Sequence, residues 1–144
     1  MVTATHTQAL SLTPGLTALR LTLHILAATI WVGGQFVMLG LLPTARSLGG
    51  DATKSLARAF AKLSWPAFVV LVITGFWNVA ALHGSTKTSG WNAVLGVKYV
   101  LVILAGLGAW LHGRAKSKAA TGAWGSIAGL ASILALVAGV LLAG

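Results

Sequence analysis

Four apolar stretches, each long enough to cross a bilayer, alternate along the chain with short polar segments. Residues 16–42 form the first, interrupted by Arg20, His24 and Gln35. At ~1.5 Å per residue such a run matches a membrane-spanning helix, and Pro43 is expected to end it. Residues 65–82, 91–112 and 124–143 are the other three, the third carrying Lys98 and the fourth no charged residue. Between the first two lies a basic connector, broken by Gly49-Gly50, in which Asp51 is placed to cap a new helix. In its 51–64 portion Leu56, Phe60 and Leu63 share one face, which predicts an interfacial amphipathic turn or two. Pro66 is expected to kink the helix that follows. Residues 1–15 are polar and Thr-rich, with no basic n-region of a cleaved signal. The expected architecture is all-α: one integral membrane domain over residues 1–144, built as an antiparallel four-helix bundle.

Composition strengthens this reading. Of 144 residues 57% are hydrophobic and 8% charged, against about 25% charged in soluble domains. A soluble enzyme and a disordered chain are both excluded. Ten Lys and Arg stand against one acid, Asp51. Such an excess can mark a nucleic-acid binder, but here the basic residues lie between apolar runs, which points to membrane topology instead. Arg46, Lys54, Arg58, Lys62, Arg114, Lys116 and Lys118 fall in the first and third connections. Loops 43–64 and 113–123 are therefore expected in the cytoplasm, with both termini and the His83 loop outside. Trp65, Trp110 and Trp124 would mark the inner interface and Trp91 the outer one.

The chemistry available is narrow. The chain has no cysteine, so disulfides, thiolate metal sites and iron–sulfur clusters are excluded. With one acid, paired-carboxylate catalysis is excluded too. What remains is four histidines (His6, His24, His83 and His112) and a few basic and amide side chains. Ideal helical spacing puts Arg20, His24, Trp31 and Gln35 on one stripe of the first helix, facing the interior. Thr74 and Asn78 lie one turn apart on the second helix. Counted along the helices, His24, Asn78 and Lys98 come to one level roughly 6–8 Å below the outer surface. Polar groups at that depth mark a functional site by default. The same residues could instead snorkel or hydrogen-bond one another. His83 reads either as a loop residue or as a further ligand, His112 as a boundary residue, and His6 as an exposed residue that a tail could bring to a metal. Gly33-Gly34, Gly75, Gly106, Gly108 and the Gly125/Gly129 pair allow close helix approach, room for a flat macrocycle, or a homodimer contact.

Three segments carry a resemblance: LHILAATIWVGGQFVMLGLLP at 23–43, FAKLSWPAFVVLVITGFWNV at 60–79 and GWNAVLGVKYVLVILAGLGAWLH at 90–112. In these the chain resembles the copper resistance D (CopD) membrane-domain family, over most of residues 20–140. The first segment is the specific one, a His followed by Trp31 and Gly33-Gly34, with Pro43 closing the run. More distantly, His24 on the first helix and Lys98 on the third are similar to positions in the HemJ-type four-helix membrane proteins, which are associated with haem b. The CopD resemblance implies copper binding or transfer across the membrane, with His24 as principal ligand helped by His83 and His6. A haem b protein for electron transfer or porphyrin redox chemistry is the alternative, with His24 as axial ligand, Arg20 and Lys98 pairing the propionates, Trp31 and the glycines shaping the pocket, and Asn78 among the cofactor-binding residues. Cu(I) prefers thiolate and thioether donors, whereas imidazole suits Cu(II) or haem iron. The sequence therefore leaves copper ion and haem b open as cofactors. A third reading is a non-catalytic membrane subunit whose polar cluster only ties helices together. No set of catalytic residues is legible.

Overall fold

The computed structural model describes residues 14–83 and 85–143. They form four long helices: Gly15–Ser47, Gly50–Ala80, Ser89–Arg114 and Lys118–Ala143. Among the described residues there is no strand. All four helices are long and apolar enough to cross a membrane.

The distribution of side-chain sizes is the reverse of a soluble core. The buried positions are mostly alanines, among them Ala27, Ala67, Ala105, Ala128, Ala131 and Ala135. Large aliphatic side chains such as Leu39, Ile73, Ile103 and Leu130 point outward. Small residues inside let helices approach closely, and dispersion between their backbones then holds them. Gly108 is the tightest point of this kind. A Cβ there would lie 3.0 Å from the Ala128 nitrogen and 3.2 Å from the Trp124 carbonyl oxygen. At the other end of the same pair of helices, Trp91 donates its indole N–H to the Leu142 carbonyl at 3.3 Å. That carbonyl belongs to the last turn, whose oxygens have no helical partner.

Aromatic rings join the second helix to the first and to the third. Trp31, Trp65 and Phe68 form a cluster with centroid separations of 4.5 to 5.9 Å. Phe68 reaches from the second helix to the third, where a Cβ on Gly106 would meet its ring at 2.8 Å. Phe76 stacks on Tyr99 at 5.7 Å. Phe60 fills the space over Gly34 in the same way.

Several local expectations are corrected. Pro43 does not end the first helix, which runs on to Ser47. A proline deletes its own N–H bond. Here the turn beyond it is secured by Leu48 N–H and Ser47 Oγ–H, both donating to the Thr44 carbonyl, and by burial of Ala45. Asp51 does not cap the second helix. Gly49 takes that position with φ of 105°, a conformation that favours glycine, and Asp51 lies in the first turn. There its carboxylate still suits the positive end of the helix dipole. The 51–64 connector, expected as an amphipathic turn or two leading into the second span, is helical throughout. It is the first part of one continuous helix that contains Pro66. Phe60 turns inward and Leu63 is exposed.

Candidate functional site

The first helix is not α-helical throughout. A π-helical turn spans Thr29–Gly33. The wider turn accommodates one extra residue, so everything after it is offset by about 100° from ideal α spacing. This splits the expected stripe. His24, before the π turn, faces the second helix. Trp31 and Gln35, within and after it, reach the fourth.

His24 Nδ1 lies 2.8 Å from Thr74 Oγ1, and its Cε1 packs over Gly75, 3.5 Å from where a Cβ would stand. Thr74 is buried and gives its one hydroxyl hydrogen back to the Val70 carbonyl at 2.7 Å. With its hydrogen so directed its oxygen accepts, and the hydrogen between the two groups is then carried by Nδ1 of His24. In a neutral imidazole the other nitrogen, Nε2, then has a free lone pair. That is the arrangement a metal-ligating histidine needs, with the non-ligating nitrogen held by a hydrogen bond.

Arg20 stands one turn before His24, on the same side of the helix. Its Nε is buried with no hydrogen-bond partner, and so is Asn78 Oδ1. Lys98 is half-buried, with Nζ 3.0 Å from the place a Cβ on Gly139 would take. It lies within electrostatic reach of His24. The expected meeting of His24 with Asn78 is replaced by one with Thr74, a turn deeper. A buried polar atom without a partner is costly, and these two stand one turn along the helices from His24 and from Thr74, which makes this region the candidate site.

Trp31 is 4% exposed and donates its indole N–H to Ser132 Oγ at 2.9 Å. Gln35 Nε2 donates to the Trp31 carbonyl at 3.0 Å and to Ser132 at 3.3 Å. Ser132 in turn donates to the Ala128 carbonyl at 2.7 Å. One hydroxyl thus uses its hydrogen and both lone pairs, tying the π turn to the fourth helix. Ser132 was not singled out by sequence reasoning. Its signal is a hydroxyl in the middle of an otherwise apolar span.

The remaining histidines are held at helix ends. His83 Nδ1 donates to the Ala80 carbonyl at 3.1 Å, in an exposed position. His112 Nδ1 donates to the Thr121 carbonyl at 2.8 Å, and its ring covers Gly125. Gly129 faces Gln35 Oε1. The Gly125/Gly129 surface is thus occupied by side chains of its own chain. His6 lies outside the described residues. Among the described residues no three His or acidic side chains form a metal-binding group.

Comparison with protein-family models, with curated proteins and with solved structures finds no match to this chain.

Proposed function

We propose that the chain is a membrane-inserted antiparallel four-helix bundle that binds haem b through Nε2 of His24. Both termini face outward, and the 43–64 and 113–123 connections lie on the cytoplasmic side, in keeping with the distribution of basic residues. The observation that carries the cofactor reading is the pairing of His24 Nδ1 with Thr74, whose hydroxyl also reaches the Val70 carbonyl; with the hydrogen on Nδ1, Nε2 is free to ligate.

The surroundings fit haem better than a bare copper ion. Arg20 and Lys98 bring positive charge, and the one side-chain carboxylate, Asp51, lies about 40 Å from Asn78 along the second helix at ~1.5 Å per residue. An isolated cation is disfavoured beside two like charges. Carboxylates of a porphyrin suit the same groups, and Arg20 Nε and Asn78 Oδ1 are without protein partners. Haem bound here supplies one-electron redox chemistry, which the protein tunes by ligand and charge. The chain's own part is to hold the imidazole by Nδ1, to place two cations, and to exclude water with the Trp31–Phe68 cluster.

Copper transfer is the second reading. The CopD resemblance of 23–43 favours it, and His83 offers a second imidazole with Nδ1 already engaged. Detergent-purified protein decides between them through a visible spectrum and metal analysis of the same sample. One haem per chain with a Soret band supports the first reading. Near-stoichiometric copper without that band supports the second. Neither, after haem and copper are both added, leaves a structural membrane subunit.

A further inference from the structure

At the junction of the second and third helices is a groove of about 260 Å³ that the cofactor reading does not use. Its floor is apolar, formed by Val79, Leu82 and Leu95, and its rim carries His83, Lys87 and Asn92. Trp91 forms one wall. The Lys87 ammonium stands 5.3 Å from the Trp91 ring centroid, and also donates to Ser85 Oγ. The Trp91 indole N–H is committed to Leu142 and its backbone N–H to Thr88. The wall on which Lys87 rests is therefore fixed from both ends.

Among the described residues no side-chain carboxylate pairs with the cation in this groove. The only acidic residue, Asp51, is at the far end of the second helix. An aromatic face attracts a cation but leaves its charge uncompensated. A charged rim above an apolar floor, at the point where two apolar helices end, matches a molecule with an anionic head and a hydrocarbon tail. The floor is open to the outside, since Leu82 in it is 41% exposed. A free anion has no use for that floor.

We infer that this groove binds a phospholipid with an anionic headgroup. Lys87 and Asn92 hold the phosphate, Trp91 lies at the level of the glycerol, and the first part of an acyl chain covers Leu82 and Leu95. Site and occupant are independent of whether His24 binds haem.

The test uses full-length protein in nanodiscs with a photoactivatable phosphatidylglycerol whose acyl chain carries a diazirine. Peptides containing residues 79–95 are then mapped by mass spectrometry. Labelling of this segment is expected, with unlabelled phosphatidylglycerol competing at least fivefold better than phosphatidylcholine. Lys87→Gln should abolish that preference in this segment, whereas Arg114→Gln, at the opposite end of the third helix, should leave it unchanged. No labelling of 79–95, equal competition by the two lipids, or a preference that survives Lys87→Gln would each overturn the proposal. Competition by glycerol phosphate alone would also overturn it, since a soluble anion site needs no acyl chain. Lys87 is half-buried and Arg114 exposed, and a helical circular-dichroism spectrum matching the parent's confirms that each variant has folded.

Discussion

His24 and Thr74 define each other's hydrogen-bonding roles. The threonine has one hydrogen, and when the Val70 carbonyl one turn back takes it, the oxygen 2.8 Å from Nδ1 accepts from the ring. A residue fifty positions away thus sets which nitrogen of His24 is left free. Back-bonding of Thr to the i−4 carbonyl is a common habit inside helices, and here it selects a tautomer.

Thr74→Val keeps the shape and removes the acceptor. Nδ1–H of His24 is then stranded, which should destabilise the protein by about 1–3 kcal/mol. The ring also loses its orientation, so haem affinity should fall by roughly 10- to 100-fold, as when outer partners of metal ligands are removed. Thr74→Ser should restore both. Haem titration and thermal unfolding in detergent measure the two effects, and a Val variant equal to the parent in both would contradict the assignment.

Ser132 is the second hub. Ser132→Ala leaves the Trp31 indole N–H without a partner in a position that is 4% exposed. A loss of about 1–3 kcal/mol is expected. Trp31→Phe in the same background removes the stranded donor as well, so the double variant should lose less than the sum of the two single changes. Strict additivity in a denaturation series would show that the pair does not interact.

Close packing of the third and fourth helices depends on Gly108. A methyl group there meets backbone, not a side chain that can rotate away. Gly108→Ala should therefore cost about 1–3 kcal/mol as overpacking. Gly96→Ala, where nothing lies within 4 Å, should be neutral or stabilising through helix propensity. Thermal unfolding of the two variants checks the contrast, and equal effects would contradict the proposed packing.

Topology has its own test. Cysteines introduced at Ser85 and Ser117 should react with an impermeant maleimide from opposite sides of the membrane. Reaction of both from one side would rule out the four-span arrangement with its outward His83 loop.

The four helices were legible because length and apolarity act over twenty residues at a time, and no single residue can override them. Single-residue signals were less secure. Pro43 and Asp51 misled because a proline near a helix end loses one bond that neighbouring turns offset, and because Gly49 reaches a φ that an Asp would adopt only with strain. The site was legible in its residue types and not in its geometry. His24, Arg20, Asn78 and Lys98 stand out as polar groups in apolar helices. The partnership of His24 with Thr74 precedes a π turn at Thr29–Gly33, and that of Trp31 with Ser132 depends on it. Ideal spacing assumes that every turn is the same, and one wider turn rotates half of the first helix onto a different neighbour.

The central claim is that His24 carries the cofactor, and a reduced-minus-oxidised difference spectrum of membranes holding equal amounts of parent and His24→Ala protein tests it most directly. The parent should show a Soret feature and a sharp α band, and the variant should lose both while keeping its helical content. Full amplitude in the His24→Ala membranes would contradict the account.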